Sequence, residues 1–587
     1  MAKRLFSIVL NSPISSFNRN ISLQRALAQH TKKTIKSLLA FMLLFCGLSI
    51  QAQSFRSIWN TNNIESGSSA NNQITIPTNP AYTIYNYNVD WGDGNTDTGV
   101  TGNITHDYTT PGTYTIEISG SFPSIYFNDE NASDKLKIIE ILAWGSIQWQ
   151  TMENAFFGCE NLNFDAIDSP DLSQVTTLQN MFNGCEAFNG IVNNWDVSTI
   201  TNISGLFQEC TIFNRPLDLW NTANIMDMSY TFHRARTFNE PLDNWNVASV
   251  TDMEYFLSEA SSFNQNINNW NISNLTNLIG TFRYTGSFNQ PLDNWNVSNI
   301  TDLTGTFQGS AFNRPINNWN VSNVVSMVAT FRESQFNQPL NLWDVSNVTN
   351  MSQMFHRNRT FDQSINNWNV SNVTDMSEMF DGWIWGAVFN QPLDNWDVSN
   401  VVDMEYMFRE NSAFNQDISM WIVSGVTNMR GMFEENPAFN QNIDNWNVSN
   451  VTNMSSMFNE ATAFNQPLNS WVIGNVTEIE SMFLGAISFD QPLNNWDMSG
   501  KTNLSNMFQN ATSFNQDISG WNVSAVTNMS GMFNTASAFN QNLAGWDISA
   551  VSQMSNMLSN SGLSQENYDM AVYTYGRKNR IISPYKN

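Results

Sequence analysis

Side chains able to carry out chemistry are few in this chain and widely scattered. There are four histidines. His30 lies in a basic N-terminal stretch, His106 in a Tyr- and Thr-rich stretch, and only His233 and His356 in the long C-terminal part. No Cys/His spacing of a zinc site, no phosphate-cradling glycine loop and no nucleophile elbow is present. Asp90, Asp93 and Asp97 surround a Gly-Asp-Gly turn and offer oxygens to a Ca2+ ion, although capping the turn is the simpler role for them. What does gather is positive charge beside aromatic rings. Arg234, Arg236, Arg283, Arg332, His356, Arg357, Arg359 and Arg409 fall in short variable segments, and one such segment, Asp381-Gly382-Trp383-Ile384-Trp385-Gly386, adds Trp383 and Trp385. Arg and Trp dominate the energetics of protein interfaces. These ten residues are the candidate binding surface; an ordinary solvated edge is the alternative.

The elements that must position them are coils of one repeat. From Phe188 a frame returns fifteen times, each time with one Trp, from Trp195 to Trp546; most steps are 25 residues, two are 24 and one is 28. A fixed period of this size marks a solenoid. Counting the leading Phe as zero, Leu, Ile or Val sits at +4, Trp at +7, an apolar residue at +9 nearly always, Val or Ile at +12 in most coils (Lys501 departs), Met, Leu or Ile at +15 and Phe at +19 in most coils. Alternation at +7 and +9 predicts a short strand with one buried face, and +12, +15 and +19 share one side of a helical turn. Thr at +13, as in Thr452, suits the N-cap of that turn. Pro at +3 in eight coils keeps the strand away from Phe-Asn-Gln-Pro and near Trp-x-Val-Ser. His233 and His356, five coils apart, are separated by roughly 24 Å at strand spacing and cannot share a nucleophile or a metal.

Two polar or aromatic columns have competing readings. Position +1 is Asn in thirteen coils and Asp in two, Asp362 and Asp490. It reads as a stacked asparagine ladder that satisfies polar groups at a bend. The Trp column reads as core, because a core site must be filled in every coil whereas a sugar site needs two or three platforms; a glycan-binding row is the alternative. Cys159, Cys185 and Cys210, spaced 26 and 25 apart, occupy one column. They read as small buried side chains, with a disulfide between neighbours as the sharper alternative.

Composition limits the partners. The net charge is −26, and the first 53 residues hold seven basic residues and no acidic one, leaving −33 on the rest. So acidic a surface disfavours nucleic acid and anionic lipid. Lys32, Lys33 and Lys36 precede the apolar run 37–50 and a small-residue site at Ala52, which predicts an export signal over 1–53. That run is too short to span a bilayer, and no second one follows. The expected order is 1–53 signal, 54–135 a β-sandwich, 136–180 an N-terminal cap, 181–560 the solenoid and 561–587 a C-terminal cap and tail.

Two stretches carry family resemblances. Val89-Asp90-Trp91-Gly92-Asp93-Gly94 and His106-Asp107-Tyr108-Thr109-Thr110-Pro111-Gly112-Thr113-Tyr114-Thr115 resemble the PKD domain, an immunoglobulin-like sandwich, which implies a spacer or binding module. Trp446-Asn447-Val448-Ser449-Asn450-Val451-Thr452-Asn453-Met454-Ser455-Ser456-Met457-Phe458 resembles the BspA-like surface-protein repeat, also found in Mycoplasma lipoprotein-associated proteins. The resemblance implies a leucine-rich-repeat-like solenoid on a bacterial surface. The expectation is a non-enzymatic, exported, monomeric adhesion or protein-binding protein without cofactor. A glycan-binding accessory module is the alternative.

Overall fold

The computed structural model describes residues 54–127, 134–164, 166–384 and 386–576. The export signal expected over 1–53 and Trp385 lie outside them.

The N-terminal unit is built from strands β1 (Phe55–Asn60), β2 (Gln73–Ile76), β3 (Asn86–Asp90), β4 (Thr96–Val100), β5 (Ile104–Asp107) and β6 (Thr113–Ser121). Alternating residues of β1 and β3 are buried, the period of a half-buried strand. Trp91 is fully buried beneath the Gly92 turn, and Tyr108 donates its hydroxyl to the Trp91 carbonyl at 3.0 Å. Gly92 is obligatory: its φ is +74°, and a Cβ there would lie 2.3 Å from the Thr115 carbonyl oxygen. Asp90 accepts from the Gly92 N–H, Asp93 from Asn95, and Asp97 from the Trp91 indole. All three carboxylates of the proposed Ca2+ turn therefore serve the turn and its tryptophan.

The boundary expected at 135 divides elements that one sheet joins. Strand β7 (Ile138–Ala143) pairs antiparallel with β1, and β8 (Asn163–Phe164) pairs parallel with β7, giving the order β4-β3-β6-β1-β7-β8; β2 and β5 pair separately. The antiparallel sandwich thus hands over to the parallel stacking of the coils within a single sheet. Trp144 and Trp149 fill the junction. Trp144 lies 5.8 Å from Phe55 of the sandwich and 5.4 Å from Trp195, the first tryptophan of the array. One continuous apolar core runs from Phe55 to Leu563.

The array departs from the expected strand and helical turn. Among the described residues the one helix is α1 (Gln565–Gly576), beyond the last coil, and neighbouring coils of the array meet in isolated parallel bridges at +14, such as Asn453 with Glu478. In the coil starting at Phe439, the N–H groups of Met454, Ser456, Phe458 and Glu460 (+15, +17, +19 and +21) donate to carbonyls of the next coil at 2.6–3.0 Å. The intervening N–H groups of Met457, Asn459 and Ala461 close four-residue turns on their own coil. Ser456 and Glu460 have φ of 55° and 56°, the sign a type II turn requires at its third residue. A helix cannot hold left-handed residues at +17 and +21. Consecutive turns reproduce the helical spacing of the buried side chains without forming a helix. Nor is Thr452 an N-cap: its N–H and its hydroxyl both donate to the carbonyl of Thr427, one coil back, at 2.8 and 3.1 Å.

Trp-x-Val-Ser forms no strand ladder, its Ser entering a turn closed by the Val451 N–H on the Val448 carbonyl, and the reason is geometric. Stacked indoles at +7 are 6.4 Å apart, as for Trp421 and Trp446, whereas stacked Phe rings at +19 are 5.7 Å apart, as for Phe458 and Phe483. Direct backbone pairing needs about 4.8 Å between chains. The coils therefore splay on the tryptophan side, and the array curves with its hydrogen-bonded ladder on the tighter side. Side chains bridge the wider gap. The Trp446 indole donates to the Ile418 carbonyl at 3.2 Å and Asn450 Nδ2 donates to the Ser424 carbonyl at 2.8 Å, while within the coil Asn447 accepts from the Ser449 N–H.

The ladder at +1 works through one atom. Asn440 Oδ1 accepts the backbone N–H of Asn465 and Nε2 of Gln466, both at 3.0 Å, and Asp362 and Asp490 accept in the same way from Asn390 and Asn515. Only an acceptor is needed, which is why Asp fits. All the repeat tryptophans are 2–4% exposed, so the column is core and not a row of sugar platforms. Cys159, Cys185 and Cys210 are free and buried, and Cys185 and Cys210 each donate to a carbonyl of the preceding coil. Lys501, at a valine site, is buried with its ammonium on the Ile473 and Gly474 carbonyls, and burial lowers its pKa. Helix α1 closes the far end: Ser564 caps it, the Ser564 N–H takes the Asn540 acceptor, and Asn567 adds a second donor to it.

Candidate functional site

Side chains at +17, +20 and +21 leave the tighter, laddered side of the array, where successive coils present equivalent positions in columns. A left-handed residue at +17 or +21 costs about 1–2 kcal/mol when it is not glycine. Yet Tyr230, Arg234, Tyr255, Glu259, Tyr284, Glu333, Arg357 and Tyr406 all accept this conformation. The inter-coil ladder fixes the backbone, and the side chains that fill these columns form a continuous polar and aromatic surface.

Its first part is an ion-paired column. Arg234 lies between Glu209 and Glu259, at 2.8 and 3.1 Å, and remains 44% exposed, so its contribution to stability is small. Tyr230 and Tyr255 stack at 5.1 Å. Arg236 is exposed at the edge of the same segment.

The second part is held by tyrosine lying over glycine. The Tyr284 ring crosses Gly309 of the next coil to reach Glu333, two coils away, at 3.0 Å; a Cβ on Gly309 would lie 2.0 Å from that ring. Gly280 and Gly431 serve Tyr255 and Tyr406 in the same manner, with gaps of 2.4 and 2.2 Å. Arg283 lies over the Tyr284 ring at 4.8 Å and donates to Gln308. Burial would raise the pKa of Glu333, but the hydrogen bond from Tyr284 and the charges of Arg332 and Arg357 outweigh it and hold the carboxyl below its ordinary value.

The third part surrounds the long coil. His356, Asp381 and Arg409 occupy +20 in three successive coils. Asp381 is fully buried; its Oδ1 accepts from Arg409 Nε and the Trp383 N–H, and its Oδ2 faces Arg409 Nη2 and His356 Nδ1. The Arg409 guanidinium is sandwiched between Trp383 at 4.1 Å and Tyr406 at 3.9 Å, and Arg357 approaches Trp383 at 5.5 Å. His356 Nδ1 lies 3.1 Å from Glu378 Oε2 and 3.2 Å from Asp381 Oδ2. Burial alone would drive the proton from His356, but the two carboxylates more than reverse this and raise its pKa.

The sequence reading placed all ten candidates on the exposed edge. Arg236 and Arg359 are exposed; Arg234, Arg283, Arg332 and Arg357 are half-buried in pairs and stacks; Trp383 is 39% exposed and roofs Arg409. His356 and Arg409 are corrected: they are 2% and 7% exposed, drawn inward by the buried charge of Asp381, which must be paired. Sequence reasoning missed the tyrosines, Glu333, Glu378 and Asp381. Tyr at one coil followed by Gly at the equivalent position of the next, as in Tyr255 and Gly280, is the signal that was available.

With this geometry in place, comparison with known proteins identifies two families. The family described as Mycoplasma protein of unknown function, DUF285, matches over residues 150–270, 216–311, 240–335, 276–384, 384–489 and 468–571, which together cover well over half of the chain. The PKD domain matches over residues 56–120. No curated protein matches the chain.

Proposed function

The chain belongs to the family described as Mycoplasma protein of unknown function, DUF285, with a PKD domain at its N-terminal end, and from that premise we propose an exported, non-enzymatic binding protein. It displays a rigid, BspA-like array to a protein on another cell or in the surrounding matrix. The observation that carries this reading is how the side chains divide. The invariant columns point inward or serve the neighbouring coil, and the variable positions gather Arg, Tyr and Trp on one laddered face. Such residues give interfaces most of their binding energy. The described residues contain no helix long and apolar enough to cross a membrane.

The test probes protein and glycan arrays with the untagged full chain. A protein ligand is expected. Its affinity falls at least about tenfold, roughly 1.4 kcal/mol, in the R236A/R359A double variant, whose thermal midpoint stays close to that of the parent. Trp383→Ala weakens binding too but also lowers the midpoint, because Trp383 covers Arg409. Binding to glycans alone, or turnover of a polysaccharide, overturns the proposal.

A further inference from the structure

The cluster beneath Trp383 has the dimensions of a metal site. His356, Glu378 and Asp381 each offer one ligand atom within 4.8 Å of the other two, and no other His, Cys, Asp or Glu trio among the described residues is so placed. The side chains come from adjacent coils, held in register by the ladder: the Arg357 N–H donates to the Asp381 carbonyl at 2.7 Å. His356 is 2% exposed, and although Nδ1 stands 3.1 and 3.2 Å from two carboxylate oxygens, no N–H direction makes a well-aligned hydrogen bond to either. It is a buried nitrogen that faces two anionic oxygens at ion-pair distance and is well aligned with neither. Donors bound to a first-row divalent ion at about 2.0–2.2 Å sit roughly 3.0–3.6 Å apart around it, depending on whether the shell is octahedral or tetrahedral. The two nitrogen–oxygen separations fall within that range.

We propose that His356 Nδ1, Glu378 Oε2 and Asp381 Oδ2 bind one first-row divalent cation, of which Zn2+ is the best-matched probe. One imidazole and two carboxylates suit such an ion better than Ca2+, which prefers an all-oxygen shell. Arg409 donates from Nε to Asp381 Oδ1 and from Nη2 to Oδ2, so it orients that carboxylate as an outer partner, shares the Oδ2 ligand atom with the ion and offsets part of the local negative charge. Glu378 is 27% exposed at its side chain and gives the ion a route in and room for water to complete its shell. The ion ties two coils together beside the long loop that carries Trp383, so its role is structural.

The test uses the untagged full chain, freed of metal with EDTA and titrated with ZnCl2 at pH 7.5 by calorimetry. One equivalent is taken up and the thermal midpoint rises. Glu378→Gln, at the open side of the cluster, weakens uptake at least tenfold with an unchanged circular-dichroism spectrum, and His356→Gln abolishes it. Co2+ in place of Zn2+ gives visible d–d bands that His356→Gln loses and that Glu378→Gln shows only at higher Co2+ concentration. Absence of stoichiometric uptake by the parent, or uptake undiminished in Glu378→Gln, overturns the proposal; the trio is then an imidazolium bridging two carboxylates.

Discussion

Gly305 and Gly309 lie in the same coil with the same backbone conformation, φ of 61° and 63°, yet different neighbours. A Cβ on Gly305 meets nothing closer than the flexible end of Gln308, at 3.5 Å, whereas a Cβ on Gly309 falls 2.0 Å from Tyr284 Cδ1. Gly305→Ala therefore carries only left-handed strain, about 1–2 kcal/mol. Gly309→Ala carries the same strain and also expels the Tyr284 ring. Expulsion breaks its hydrogen bond to Glu333 and its contact with Arg283, together about 1–2 kcal/mol for partly solvated partners. The expected losses are about 1.5 and 3 kcal/mol. Urea denaturation of the full chain, followed by tryptophan fluorescence, measures both. In a Tyr284→Ala background the Gly309→Ala loss should shrink to that of Gly305→Ala, a coupling of about 1.5 kcal/mol. Equal losses at the two glycines, or no coupling to Tyr284, would refute the account of tyrosine seated over glycine.

Three further outcomes follow from the same structure. Asn440→Asp should change stability by less than about 0.5 kcal/mol, whereas Asn440→Ala, which strands the Asn465 N–H, should cost about 1–3 kcal/mol by urea denaturation. Lys501→Met removes a buried ammonium from a valine site and should raise stability by about 1–2 kcal/mol, read from the urea midpoint. Because the pKa of His356 is raised in the folded state, its stabilisation is complete below the unfolded value of 6.5 and is lost as the pH climbs through the folded value. In EDTA, the urea midpoint of the parent should fall more between pH 6 and pH 9 than that of His356→Gln; parallel curves would contradict the raised pKa.

The parts of the fold legible in the sequence were those set by burial. A tryptophan repeated in every coil has to be inside, and Trp91-Gly92-Asp93-Gly94 has to be a tight turn. The helical turn was misread because burial at +12, +15 and +19 is common to a helix and to consecutive turns. Only the φ signs at +17 and +21 separate the two, and tyrosine, glutamate and arginine at those positions conceal them, although Gly280, Gly305 and Gly309 are glycines there. The candidate surface was half legible. The variable segments were evident from their departure from the period. Their pairing was not, because Tyr284 meets Glu333 across two coils and Asp381 draws His356 and Arg409 inward. Both depend on which columns face each other, and no spacing along one coil encodes that.

The acceptor column at +1 sets how such a chain can change in length. Each Asn or Asp offers the following unit the same oxygen, and at the far end Ser564 takes it as any coil would. The 24-residue units and the 28-residue one differ in length from the others only after +19, and the N–H that follows still finds the acceptor, as Asn390 does on Asp362. Duplication or loss of a whole unit by slippage in the gene thus leaves both terminal closures and the acceptor joint intact, at the cost of only those contacts that belong to particular neighbours, such as Tyr284 with Glu333, so the reach of the molecule is free to drift while its ends stay fixed.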